Sequence, residues 1–291
     1  MLTAHRPHAG FTLVELMLGL TVATIVGMAA ITIAVRHEHL AFALEQIMES
    51  RRALREGADV LRYDLRSTAP QQDAIYSMGA SFVEFRMATG FSILCGLDST
   101  RTVLVFPART SSGTNVTSWI VAPEPGDTVM VFAASGDSSR WDTHAVASAP
   151  TSGRACSPTF VATGATAPPI AVRIATPVAS DLQPGAVLRF ARRARYELYR
   201  AADGAWYLGF RDCLSTRATP CATVQPVSGP YARGGLQFHF LDSANTPTAN
   251  PHRVARIDVV LRAESAMGLH LPGIASGAFA DSVLFTIRPR R

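Results

Sequence analysis

The sequence predicts an α+β fold, with one long N-terminal helix followed by an antiparallel, loop-rich β-sheet region. Three observations predict it. The run FTLVELMLGLTVATIVGMAAITIAV from Phe11 to Val35 is apolar apart from one charge, Glu15. Beyond it, Leu40, Leu44, Ile47, Arg51, Leu54, Ala58, Leu61 and Leu65 recur at alternating spacings of four and three, a stripe along one helix face. After Pro70 the apolar period switches to two.

The first element is a membrane segment by length. The stretch from Phe11 to Val35 extends about 37 Å as a helix, against a hydrocarbon core of roughly 30 Å. A carboxylate inside such a segment costs several kcal/mol and is normally paired or functional, which singles out Glu15. The competing account is that Glu15 snorkels to the interface. The leader MLTAHRPHAG ends in Gly10. A secretory signal would place its small-residue cleavage site after the apolar run, where Ala29-Ala30 stands, yet the strongest punctuation lies before it. Charge gives no orientation, because Arg6 on one side faces Arg36, Arg51, Arg52 and Arg55 on the other.

The second part of the helix is amphipathic. Arg51 is the only charge in the apolar stripe, while Glu45, Glu49, Arg52, Glu56 and Arg66 lie opposite. Ser67, Thr68 and Pro70 supply the stop. From Phe11 to Ser67 the helix would measure roughly 85 Å, its second half packed on a sheet; a two-stranded coiled coil is the competing account of the stripe.

Strands are expected at Phe82–Met87, Thr102–Phe106, Ser118–Val121, Val129–Phe132, Ala171–Ile174 and Val187–Phe190. Arg195–Arg200 and Ala205–Arg211 flank an Ala-Asp-Gly hairpin turn at 202–204. Leu236–Leu241, Val254–Leu261 and Val283–Arg288 complete the set. Residues from Ser135 to Pro169, rich in Ala, Ser, Thr, Gly and Pro, read as a long irregular excursion held by Cys156.

Composition bounds the function. Charged residues make up 17% of the 291 residues and hydrophobic ones 48%, which excludes a disordered tail protein and permits a sizeable core. The net charge of +5 comes entirely from arginine, with no lysine in the chain. Those arginines are scattered among acids and apolar residues rather than clustered on one basic face, so no nucleic-acid partner is expected.

The residues Gly10-Phe11-Thr12-Leu13 with Glu15, set before a long apolar helix, resemble the class III signal of type IV prepilins and pseudopilins. The resemblance is strong over about sixty residues. It implies cleavage by a prepilin peptidase between Gly10 and Phe11, N-methylation of Phe11, and pairing of Glu15 with the N-terminal amine of a neighbouring subunit. It also implies a single-pass inner-membrane protein whose C-terminal domain is periplasmic. The resulting division is a leader at 1–10, a transmembrane half-helix at 11–35, an amphipathic half-helix at 36–69 and a β-rich domain at 70–291. The size, the helix ending RRALREGADVLRYDLRS and the late strand VARIDVVLRAES look like J-type pseudopilins of type II secretion and equally like PilW-type minor pilins. The expected role is a minor subunit priming or capping a type IV pilus or a secretion pseudopilus. Its partners would be the peptidase, other minor and major pilins or pseudopilins, and inner-membrane lipid. A membrane-anchored periplasmic binding protein or hydrolase is the alternative.

The four cysteines, Cys95, Cys156, Cys213 and Cys221, lack metal-ligand spacing and suit disulfides in an oxidising compartment. Cys213 and Cys221 enclose a short loop, and Cys95 and Cys156 bracket the first strands. That order is preferred, with the two other connectivities open. His37 and His39 stand two apart and point to different helix faces, unlike the His-Glu-x-x-His of a metalloprotease. No Gly-x-Ser-x-Gly elbow or Walker-type loop occurs, and Asp127, Asp137 and Asp142 lack EF-hand spacing. No active site, metal or cofactor is expected.

Overall fold

A computed structural model describes residues 12–68, 74–109, 113–135, 138–154, 156, 168–214, 216, 219–269 and 277–289. Helix α1 runs unbroken from Leu13 to Ser67, 55 residues. It ends where expected. The Ser67 hydroxyl donates to the Asp64 carbonyl at 2.8 Å and the Thr68 hydroxyl to the Leu65 carbonyl at 2.7 Å, satisfying two acceptors of the last turn.

The strands follow as β1 (Ile75–Gly79), β2 (Phe82–Ile93), β3 (Gly96–Leu97), β4 (Val103–Phe106), β5 (Ser118–Trp119), β6 (Thr128–Ser135), β7 (Ser138–Ala145), β8 (Thr151–Ser152), β9 (Ile170–Arg173), β10 (Val187–Arg200), β11 (Trp206–Asp212), β12 (Val224–Tyr231), β13 (Leu236–Leu241), β14 (Arg256–Leu269) and β15 (Gly277–Ile287). An eight-stranded sheet has the order β1-β2-β10-β11-β12, with β5 on β2, β6 on β10 and β7 on β6. A three-stranded sheet is ordered β13-β14-β15 and a four-stranded one β3-β4-β9-β8. The described pairings are antiparallel, so the architecture is α+β as the sequence predicts.

Several elements differ from the sequence reading. The segments Val187–Phe190 and Arg195–Arg200 are one strand, β10, paired with β2 from Val187 opposite Ile93 to Glu197 opposite Phe82. The register shifts at Phe190/Ala191, where β2 carries Thr89 as an extra residue. The excursion from Ser135 is not irregular throughout. Strand β7 occupies Ser138–Ala145 and pairs residue for residue with β6, from Ser135 opposite Ser138 to Thr128 opposite Ala145. Its polar sequence SSRWDTHA reads as loop in isolation, and pairing with β6 overrides that preference. Strand β12 contains Pro226 and Pro230, and it lies at the edge of its sheet, where a missing N–H is tolerated.

By its contacts the chain forms two compact units. One comprises the helix up to Glu49 with Ser265–Phe279; the other comprises Ser50–Glu264 with the segment from Ala280 onward. In the second unit Leu54, Ala58, Leu61 and Leu65 of α1 share one buried cluster with Val83 and Phe85 of β2, Tyr196 of β10, Leu208 of β11, Tyr231 of β12 and apolar residues of β13, β14 and β15. Full burial of each of these leucines contributes about 1.5–3 kcal/mol, an upper estimate. A second cluster gathers Leu104 and Phe106 of β4, Val129 and Val131 of β6, Val172 of β9 and Leu188 and Phe190 of β10. Trp119 lies edge-on to Phe106 and Phe190 at ring separations of 6.0 and 5.9 Å.

The predicted heptad stripe of α1 is buried only in its second half, at Leu54, Ala58, Leu61 and Leu65. Leu40 and Leu44 are 41% and 50% exposed, and Arg51 is exposed and reaches Asp281 at 3.2 Å. Between Ser50 and Leu65 the residues buried in addition to the stripe are Ser50, Ala53 and Gly57. These are small, so the helix backbone can approach strand β12 closely.

Candidate functional site

The residues implicated by sequence lie at the start of α1. Gly10 and Phe11 fall outside the described residues. Thr12 immediately precedes the helix and serves as its N-cap. Its hydroxyl accepts from the Glu15 N–H at 3.3 Å, and the Glu15 carboxylate accepts from the Thr12 N–H at 3.2 Å and from the Thr12 hydroxyl at 3.1 Å. This is a reciprocal capping box, Thr-x-x-Glu, in which side chains satisfy two donors of the first turn. The Thr-x-x-Glu spacing stands in the sequence, where Glu15 otherwise reads as a charge inside a membrane segment. The carboxylate also sits at the positive end of the helix dipole, where a negative charge is favoured.

The helix that follows is apolar, and among the described residues almost none of its surface is buried. Leu13 is 77% exposed, and Leu16, Met17, Leu18, Leu20, Ile25 and Ile31 are each about two-thirds exposed. It is the one helix among the described residues long and apolar enough to cross a membrane. Its hydroxyls are turned inward. Thr21 donates to the Leu18 carbonyl at 2.9 Å, Thr24 to Thr21 at 2.8 Å and Thr32 to Met28 at 2.8 Å. A hydroxyl bonded to its own backbone does not need water, which suits a hydrocarbon surrounding. His37 and His39 are exposed on the same helix.

The disulfides lie in the β-rich part. Cys95 is joined to Cys156, with Cα atoms 5.3 Å apart, and Cys213 to Cys221, with Cα atoms 4.2 Å apart. Cys95 is buried beside Val105 and Ala171. Cys213 and Cys221 lie near Glu84, and their sulfurs and its carboxylate fall within 4.8 Å of one another. Those sulfurs are consumed by the disulfide and Glu84 bonds the Arg193 guanidinium, so the trio lacks the thiolates a metal would need.

The acidic residues considered as possible ligands do other work. Asp127 is fully buried and holds Arg192 through Nε at 2.8 Å and Nη2 at 2.7 Å. Glu124 at 3.1 Å and Asp212 at 3.3 Å complete the cluster. Arg192 occupies the position on β10 between Ala191, where pairing with β6 ends, and Ala194, where pairing with β11 begins. The ion cluster thus fills a junction between two partner strands. Asp142 lies on β7 and binds Arg140 at 3.0 Å; Asp137 is outside the described residues. His144, also on β7, bonds Thr176 Oγ1 through Nδ1 at 2.9 Å while its Nε2 is buried with no hydrogen-bond partner among the described residues. Burial lowers its pKa below the ordinary imidazole value, so it behaves as a neutral core histidine.

Neither the comparison with curated proteins nor that with solved structures gives a significant match. Residues 5–31 match the family model of the prokaryotic N-terminal methylation motif, so the apolar helix opens with a type IV prepilin-like signal, the mark of a pilin-like protein.

Proposed function

We propose that this chain is a minor pilin or pseudopilin, a structural subunit that primes or caps a type IV pilus or a type II secretion pseudopilus. A prepilin peptidase removes residues 1–10 by cutting between Gly10 and Phe11, and Phe11 is then N-methylated. Residues 11–35 cross the inner membrane once and enter the filament core, residues 36–69 continue as the amphipathic half of the helix, and residues 70–291 form the periplasmic domain. Glu15 pairs with the N-terminal ammonium of a neighbouring subunit and sets the axial register. The role is structural rather than catalytic.

The observation that carries this reading is a methylation motif opening a helix whose apolar surface finds no cover among the described residues. Such a surface needs lipid or the helices of other subunits. Mass spectrometry of the protein purified from cells with the peptidase tests it. The expected mature chain begins at methylated Phe11. A chain that keeps residues 1–10 would overturn the proposal.

A further inference from the structure

A groove of about 690 Å³ lies between the last turns of α1, the start of β14 and the end of β15, lined by Arg62, Arg66, Arg256, Thr286, Ile287 and Arg288. From these residues we infer that the groove is a docking site for a carboxylate-rich peptide segment of a partner protein.

Two of its arginines are held in place. The Arg62 guanidinium lies over the Phe285 ring, 4.5 Å from its centre. Arg256 is clamped by Asp258, whose carboxylate also accepts from Thr286 Oγ1 at 2.7 Å. The other two, Arg66 and Arg288, are exposed and make no ion pair among the described residues. Among the described residues, four guanidinium charges stand against two carboxylates paired with them, Asp59 (3.5 Å from Arg62) and Asp258, a surplus of two positive charges.

The chemistry selects the ligand. Planar guanidinium groups favour carboxylate or phosphate through paired hydrogen bonds. The volume lies in the range that holds a drug-sized molecule, more than one inorganic anion fills. Among the described residues the lining contains no aromatic side chain, and Phe285 beneath Arg62 is buried, so these residues offer no stacking platform of the kind a single-stranded nucleic-acid groove uses. An extended acidic peptide meets both the charge and the size.

The test uses the full chain in an uncharged detergent, titrated with a fluorescein-labelled hexaglutamate peptide and followed by anisotropy. Binding that weakens at high salt is expected, and Arg66→Gln/Arg288→Gln weakens it by roughly tenfold. Both arginines are exposed and make no ion pair among the described residues, so the fold is expected to survive, as circular dichroism would verify. A control of equal charge, Arg109→Gln/Arg233→Gln, alters two exposed arginines outside the groove lining and leaves binding within about twofold. An equal loss in both pairs would reduce the effect to net charge and overturn the proposal. So would absence of peptide binding, displacement by inorganic phosphate at matched concentration, or tighter groove-dependent binding of a DNA oligonucleotide or of phosphatidylglycerol vesicles.

Discussion

The phenol of Tyr231 on β12 lies directly against Gly57 of α1 and donates to the Ala53 carbonyl at 2.8 Å, while Ser228 donates to the phenol at 2.7 Å. A Cβ at position 57 would stand 2.1 Å from the Tyr231 hydroxyl and 2.8 Å from Ser228 Oγ. The small-residue stretch Ser50, Ala53, Gly57 thus lets a strand side chain reach the helix backbone, and an extra methyl group has no room. Gly57→Ala gains up to about 1 kcal/mol of helix propensity but loses more through overpacking. A net loss of about 1–2 kcal/mol is expected, seen as a lower thermal midpoint of the β-rich part. Tyr231→Phe removes the atom that clashes, so the double variant Gly57→Ala/Tyr231→Phe is expected to be more stable than the two single losses add up to. Simple additivity would show that the contact is not the cause.

The pair Arg192 and Asp127 makes a larger prediction. Both side chains are buried, and their two-pronged contact seals the point where β10 changes partner from β6 to β11. Asp127→Ala leaves a buried guanidinium with Glu124 and Asp212 alone and is expected to cost about 3–5 kcal/mol. Asp127→Ala/Arg192→Met removes the uncompensated charge and is expected to recover a substantial part. Chemical denaturation of the three proteins measures it. A double variant no more stable than Asp127→Ala would mean that strand geometry, rather than the stranded charge, sets the cost.

These two contacts show where sequence reading succeeds and where it stops. Periodicity carries the helix to Ser67 and most of the strands, because backbone pattern and burial share the same period. It places Leu54, Ala58, Leu61 and Leu65 on the buried face of α1 but leaves out Ser50, Ala53 and Gly57, which have no hydrophobic signal and acquire meaning only against Tyr231. It misses β7, whose polar residues become a strand by pairing with β6, and β12, whose prolines are tolerated only because it is an edge. Arg192 reaches partners up to 68 positions away in the chain, and nothing local announces the cluster. At the N-terminus the reverse holds. The Thr12-x-x-Glu15 box is a local pattern, fully legible, and its residues bond one another as that spacing dictates.

Asp64 on α1 accepts from the Tyr196 hydroxyl on β10. Burial raises the pKa of its carboxyl above the ordinary value of 3.8, and the tyrosine bond only partly opposes this. A carboxyl with a raised folded-state pKa favours folding most while protonated. Its contribution is complete below the unfolded value and is lost as pH rises through the folded one. The variant Asp64→Asn keeps an acceptor for Tyr196 without the charge. Its stability relative to the native protein is therefore expected to increase from pH 4 toward neutrality and then level off. Asp258 serves as the contrast, since Arg256 first of all holds its pKa down. Asp258→Asn is expected to lose stability relative to the native protein above about pH 4 and to converge with it on acidification. Thermal midpoints across the pH range would read both, and two curves of the same sign would contradict the assignment.

The last prediction separates two roles of Glu15. In the single chain its carboxylate closes the capping box with Thr12. In the proposed filament it meets the ammonium of a neighbour. A capping box is worth roughly 0.5–2 kcal/mol, whereas a buried ammonium deprived of its partner costs about 3–5 kcal/mol. Glutamine serves as well as glutamate at this position of the box but carries no charge. Glu15→Gln therefore keeps the cap and removes the ion pair, while Thr12→Ala weakens the cap and keeps the charge. If charge pairing governs assembly, Glu15→Gln and Glu15→Ala both insert in the membrane yet fail to enter or prime filaments, and Thr12→Ala assembles nearly normally. If helix capping governs it, Glu15→Gln assembles and Thr12→Ala is impaired. Filament counts and cross-linking to other subunits distinguish these outcomes. A subunit at the filament apex has no ammonium above it, and there Glu15→Ala would assemble normally. Cross-links from its membrane helix to a subunit above would exclude the apex, and normal assembly of Glu15→Ala would then leave the charge pair without a role.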